Sequence, residues 1–309
     1  MGNTSDSNHA SSSLIQHLRS VLPQDGSREA LITSVIPKLL QSVAGVAQTL
    51  RSSHNVSAVG TANTFGDDRV STLSHHHKAS LVELTPLELN VDVAAENVIR
   101  EAIAQCPSIV TASSEEDPIE RAVQHTVPTS ISSTQEQYTL AFDPLDGSSI
   151  ISANWTVGAI FSLWDGATAL NRNPTTRQVA AILGVFGPRT TAIVALRTPN
   201  TSTPPTCFEL ALSPAPQSQS KPTSPPTWHL TRPTLTLSPT SHYFSPANLR
   251  SAATFPAYLS LITQYITQRY TLRYAGGLVP GRGAHAGARR GAVRQPRHGE
   301  GWGQVAEVV

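Results

Sequence analysis

Charge is the scarcest ingredient of this 309-residue chain. Asp, Glu, Lys and Arg make up 14% of it, and 22 basic against 21 acidic residues leave a formal net charge of +1. With neither sign in excess there is no electrostatic footprint of a nucleic-acid partner or an anionic membrane. Cysteine is equally sparse: Cys106 and Cys207 are the two, too distant for a metal or redox motif and too few for a secreted disulfide scaffold. No apolar run approaches the roughly 20 residues that span a bilayer. The opening MGNTSDSNHASSS lacks the basic and apolar segments of a signal peptide, and Asp6 stands where a myristoylation pattern needs Ser or Thr. These absences predict a soluble, cytoplasmic protein with no nucleic-acid and no membrane partner.

Hydrophobic residues, at 39%, suffice for a sizeable core, while 23 prolines with abundant Ser and Thr predict long polar loops around it. Residues 1–26 read as a flexible N-terminus. Ser27 to Ser53 has helical spacing through Leu31, Ile32, Val35, Ile36, Leu39 and Leu40, with a kink expected at Pro37. After the acidic loop NTFGDD (63–68), residues 69–86 show no periodicity and read as a loop insertion; His75, His76 and His77 within it read as solvated. Leu87 to Gln105 resumes a helical pattern. SIVTAS (108–113), YTLAF (138–142), WTVGAIFSLW (155–164) and TTAIVAL (190–196) are strand candidates, with a helix expected over Val179 to Phe186. Alternating strands and helices predict an α/β sandwich. Within the Pro/Ser/Thr-rich stretch 198–240, CFELAL and WHLTR predict a hairpin around a long loop. Pro256 to Tyr270 predicts a helix, and TLRYAGG after it a strand.

The chemistry concentrates in YTLAFDPLDGSSI (138–150). Glu115, Glu116, Asp143 and Asp146 are four carboxylates, each at the carboxyl end of a predicted strand, the edge where open α/β sheets bind ligands. Pro144 predicts a turn that aims both aspartates and the Leu145 carbonyl at one point. Clustered carboxylates repel one another unless a divalent cation reverses that logic, and magnesium takes oxygen ligands. Gly147, Ser148 and Ser149 then offer close backbone approach, N–H donors and hydroxyls for a phosphate.

SSEE (113–116), FDPLDGSSI (142–150), WTVGAIFSLW, VAAILGVFGPRTT (179–191) and RYTLRYAGGLVP (269–280) together resemble the fructose-1,6-bisphosphatase family. FGPRTT and RYTLRYAGG are similar to its sedoheptulose-1,7-bisphosphatase branch. The resemblance implies a layered αβαβα sugar-phosphatase sandwich. It implies metal binding by Asp67, Glu115, Asp143, the Leu145 carbonyl and Asp146, with Mg2+ as cofactor. Asp92 and Glu116 resemble the carboxylates that activate the attacking water. Asp146, Gly147, Ser148 and Ser149 match the contacts to the phosphate that is cleaved, and Asn248, Arg273 and Tyr274 the site of the sugar and its second phosphate. The implied reaction is in-line attack of water on the 1-phosphate of a sugar bisphosphate, with magnesium lowering the water pKa and neutralising the leaving oxygen. Sedoheptulose 1,7-bisphosphate ranks ahead of fructose 1,6-bisphosphate. The alternatives are an inositol-phosphatase-like phosphomonoesterase and a non-catalytic remnant that retains metal binding. The resemblance also allows a homo-oligomer.

It divides the chain into a metal- and phosphate-binding lobe (27–197), a hairpin and loop (198–240) and a partial sugar-binding lobe (241–280). It ends at Pro280. The Gly/Arg-rich residues 281–309 match nothing in the family, so the second lobe is expected to be incomplete; they read like translation in a wrong frame or a retained intron. The cysteine pair of the plastid enzymes is also absent upstream of NTFGDD.

Overall fold

The computed structural model describes residues 5–23, 25–52, 55–62, 68–73, 88–127, 136–199, 201–213, 226–236, 242–246, 249–274 and 276–279. Helix α1 (Ser5–Val21) occupies the stretch expected to be a flexible N-terminus. Its Ser- and Asn-rich sequence has little intrinsic helix propensity. Tertiary packing overrides that: Leu14 and Leu18 are buried one turn apart, and His17 stands edge-on to Phe208 with 4.7 Å between ring centroids. Leu31–Val35 form one wide π turn that runs straight into α2 (Ile36–Ser52). The Ile36 N–H reaches back to the Leu31 carbonyl. The widening sits just before Pro37, whose ring crowds the carbonyl four residues back, so the expected kink takes this form. Glu136 supplies the missing partners at the start of this helix, accepting from the Ala30 and Leu31 N–H groups at 2.8 and 3.1 Å.

Strands β1 (Asn55–Ala62), β2 (Asp68–Leu73) and β3 (Glu88–Asn90) form an antiparallel ribbon. The first part of the expected 69–86 loop is therefore strand, and residues 74–87 lie outside the described residues. Helix α3 (Val91–Ile103) follows; of the helix expected from Leu87 to Gln105, residues 88–90 are in β3 instead, and Leu87 lies outside the described residues.

The main sheet has eight strands in the order β11-β10-β9-β8-β7-β6-β4-β5. They are β4 (Ile109–Ser114), β5 (Arg121–Ala122), β6 (Tyr138–Asp146), β7 (Val157–Asp165), β8 (Gln178–Phe186), β9 (Thr190–Leu196), β10 (Thr206–Ser213) and β11 (Thr227–Arg232). Within this sheet, β4 and β6 pair in parallel; β6 through β11 form an antiparallel meander, interrupted by the four-residue helix α4 (Pro174–Arg177). The helix expected over Val179 to Phe186 is β8. Its unbroken apolar run has no period that separates a buried strand from a buried helix, and the pairing on both sides decides it. The expected hairpin forms as β10 and β11.

One face of the sheet carries Tyr138, Leu140, Phe142, Phe161, Ile182, Val194 and Phe208 against α1, α2 and α3, in one continuous core. The other face carries Ile160, Leu183 and Ile193 in a smaller cluster with Val279. The class is α/β, as expected, but a meander and not repeated strand–helix alternation builds it. In the stretch 241–280, expected to be a partial sugar-binding lobe, the described residues form β12 (Tyr243–Phe244), a 3-10 turn (Leu249–Ala253), α5 (Pro256–Thr267) and β13 (Thr271–Leu272). The strand expected over TLRYAGG thus has two residues. Among the described residues no helix is long and apolar enough to cross a membrane.

Candidate functional site

The site grows from an irregularity in β6. Asp143 pairs with Ile160 of β7, but Asp146 pairs with Gly158, so three steps along β6 match two along β7. This is a β-bulge, and Pro144, which has no N–H for the ladder, sits inside it. Side chains alternate along a strand, so residues three apart ordinarily face opposite ways. The extra residue cancels that: Phe142 and Leu145 both enter the helix-side core, and Asp143 and Asp146 both take the other face. The turn expected at Pro144 is thus a bulge with the same consequence.

The parallel register then adds a third carboxylate. Ser114 of β4 lies beside Phe142, and the Glu115 N–H donates to the Phe142 carbonyl at 3.1 Å, which sets Glu115 next to Asp143. The two side chains share a hydrogen bond, and Asp143 is held well above the ordinary carboxylate range by burial first, then by the charges of Glu115 and Asp146. Two carboxylates in contact cannot both ionise without a cation. Asp143 Oδ1 also accepts from the Leu145 N–H at 2.9 Å. Burial pushes Asp146 upward as well, against the Leu278 and Val279 N–H groups, which donate to its two oxygens at 2.9 and 2.7 Å.

Gly147 follows with φ of +86°, a left-handed conformation, and opens a 3-10 turn over Ser148–Ala153. A Cβ on Gly147 would stand 3.3 Å from the Gly277 Cα, so two glycines make room for the 276–279 segment against the cradle. Ser148 is half-buried and Ser149 exposed. Asp92 is buried in the first turn of α3, where a carboxylate suits the helix dipole, and Glu116 is half-buried; both have partners. Arg273 and Tyr274 are exposed, with the Arg273 guanidinium over the Tyr243 ring at 5.2 Å. Tyr274 is two residues from Gly276, a span of at most about 7 Å. Asp67 and Asn248 lie outside the described residues.

Among the described residues no three His, Cys, Asp or Glu side chains converge as a complete metal-binding group. The geometry brings together the pair Glu115–Asp143 with Asp146 beside it. Their oxygen-only chemistry suits a hard divalent cation, which would take the place of the proton the pair shares. Sequence reasoning missed the Leu278 and Val279 N–H groups, although the glycines of AGGLVP mark a close approach. It also missed Glu96 and Arg100, an acid–base pair at i, i+4 on α3.

A family profile described as Fructose-1-6-bisphosphatase, N-terminal domain, matches residues 85–203. The chain is 33% identical over 250 residues to a chloroplastic sedoheptulose-1,7-bisphosphatase of Chlamydomonas reinhardtii, an alignment covering 79% of this chain and 52% of that one. It is 36% identical over 193 residues to the chloroplastic enzyme of the same name from Triticum aestivum, covering 62% and 43%. It therefore spans about half the length of these curated relatives. A solved structure from Toxoplasma gondii, provisionally assigned as a sedoheptulose-1,7 bisphosphatase, superposes with a TM-score of 0.65 at 31% identity, over 91% of this chain and 76% of that one. Leishmania major fructose-1,6-bisphosphatase shares the fold, with a TM-score of 0.56 at 20% identity over 86% and 73% of the two chains.

Proposed function

Because the chain belongs to the fructose-1,6-bisphosphatase family, we propose that it hydrolyses the 1-phosphate of a sugar bisphosphate with Mg2+ as cofactor. Sedoheptulose 1,7-bisphosphate is the first candidate and fructose 1,6-bisphosphate the second. The observation that carries this reading is the bulge at Pro144, which aligns Asp143 and Asp146 beside Glu115 at the mouth of the Gly147 turn.

The residues divide the work. Glu115, Asp143, Asp146 and the Leu145 carbonyl hold the cation, which lowers the pKa of water and neutralises charge on the leaving oxygen. Gly147 bends the backbone so that N–H groups and the Ser148 and Ser149 hydroxyls face the phosphate. Asp92 and Glu116 accept the proton of the attacking water. Arg273 neutralises the second phosphate, with Tyr274 beside the sugar. Leu278 and Val279 keep Asp146 oriented from behind.

The test is phosphate release by the purified full chain from each bisphosphate, with and without magnesium, beside Asp143→Asn. Magnesium-dependent release that falls at least about 100-fold in the variant is expected. Release that ignores magnesium, or survives the substitution, would overturn the reading. A second reading, metal binding without turnover, rests on the Asp146 oxygens being engaged by Leu278 and Val279; it predicts magnesium binding with no release from either substrate. The cytoplasmic location belongs to the same proposal, supported by two free cysteines. Imaging of the tagged chain in an organelle would refute it.

A further inference from the structure

Behind the carboxylates, on the helix side of the sheet, lies a polar network that the proposed reaction does not use. Glu96 is buried near the middle of α3, one turn past Asp92. Its Oε1 accepts from Ser114 Oγ at 2.7 Å and from Arg100 Nε at 2.7 Å. Ser114 Oγ accepts in turn from the Asp117 N–H at 2.9 Å, and the Ser114 N–H donates to the Asp117 carbonyl at 2.9 Å. Arg100 reaches within 3.8 Å of the Asp117 carboxylate and lies over the Phe142 ring at 5.6 Å. The turn Ser114–Asp117 is thus closed at both ends by groups that converge on Glu96, and its two inner residues are Glu115 and Glu116.

A buried carboxylate is a costly way to fill space, since well-packed apolar groups often stabilise as much. What Glu96 adds is direction. The Ser114 hydroxyl meets Glu96 and the Asp117 N–H together in only one arrangement of the turn. With Ser114 fixed toward α3, strand alternation sends Glu115 to the opposite face, beside Asp143. We propose that Glu96 is a positioning residue of the phosphatase site, orienting the Ser114–Asp117 turn so that Glu115 and Glu116 present their carboxylates with Asp143. This rests on the function proposed above.

The experiment uses the full chain as wild type, Glu96→Ala, Glu96→Gln and Ser114→Ala, with near-UV circular dichroism to confirm folding. In calorimetric titration with magnesium alone, Glu96→Ala and Ser114→Ala should bind about 10- to 100-fold more weakly. Glu96→Gln, whose amide oxygen still accepts from Ser114, should recover most of that loss. In turnover, kcat should fall with KM little changed. Hydrogen exchange at the Asp117 amide reads the turn without any metal, and should quicken in Glu96→Ala but not in Glu96→Gln. Wild-type magnesium affinity and unchanged Asp117 exchange in folded Glu96→Ala would overturn the proposal. If that variant does not fold, Ser114→Ala carries both readouts by loss of one hydroxyl. A wild-type chain that binds no magnesium would sink the proposed function and the catalytic role of Glu96 with it, whereas Asp117 exchange would still report whether Glu96 orients the turn.

Discussion

Strand β7 and helix α5 are both rich in large apolar residues, but their surroundings differ. Along VGAIFSLWD every side chain but the last is buried, with Phe161 packed toward the helices and Ile160 toward the other face. Along PAYLSLITQYIT only Tyr258 and Ile262 are buried, while Leu259 and Ile266 are 50% and 64% exposed. A strand in the middle of a covered sheet has neighbours on both faces; α5 has one small cluster, with Phe244 and Ala252. The contrast teaches where stability and recognition reside. The sheet that carries Asp143, with Glu115 at the end of β4, is anchored by the whole core, whereas Arg273 and Tyr274 follow β13 beside the small cluster of α5, the Arg273 N–H donating to the Phe244 carbonyl at 2.9 Å.

Large-to-small substitutions break the comparison most directly. Phe161 is fully buried and stacks on Phe142 at 6.4 Å. Phe161→Ala should cost about 3–5 kcal/mol, unfolding the molecule as a unit. Ile262→Ala in α5 should cost about 2 kcal/mol, near the low end for such a change, because a small, partly exposed cluster collapses easily. Denaturant unfolding followed by hydrogen exchange checks both. Amides of β7 and β8 should exchange only through global opening, and those of α5 through local opening. Equal protection in the two regions would erase the distinction.

The same contrast explains what was legible beforehand. Strands β4, β6, β7, β9 and the β10–β11 hairpin announce themselves by short β-branched and aromatic runs between turn residues. The carboxylates stand out because Glu115, Glu116, Asp143 and Asp146 gather at the ends of two strands in a chain with 21 acidic residues. What local pattern does not encode is pairing between distant segments. Helix α1 has too few apolar residues to be read alone and is made by contact with Phe208, almost two hundred residues away. Strand β8 is decided by its two neighbours. The bulge at Pro144 follows from the missing N–H, yet its effect of bringing Asp143 and Asp146 to one face needs the register against β7. Likewise Glu96 looks like an ordinary helix-surface acid until Ser114 is placed beside it.

A subtler change sharpens the comparison at the boundary between the two regions. A Cβ on Gly158 would stand 2.4 Å from the Val279 Cβ and 2.9 Å from the Gly184 carbonyl oxygen. Backbone in a paired sheet cannot retreat, so Val279 must. Gly158→Ala should destabilise by about 1–3 kcal/mol through overpacking. It should also accelerate exchange at the Leu278 and Val279 amides, whose partners are the Asp146 oxygens. Protection of those amides at the wild-type level would mean that the segment is not held by its contact with β7.

The smallest effect belongs to the exposed side of α5. Ile266 is 64% exposed near the end of the helix. Ile266→Lys there removes little buried area and places a cation in the last turn, where the helix dipole favours it. Stability should therefore change by no more than about 0.5 kcal/mol. Chemical denaturation of the full chain measures it, and β7 supplies the control: Ile160→Lys, on the covered face of the sheet, would bury a charge and should prevent folding. A loss of several kcal/mol at Ile266 would show instead that α5 is packed on both sides, and the two regions would then differ in size and not in kind.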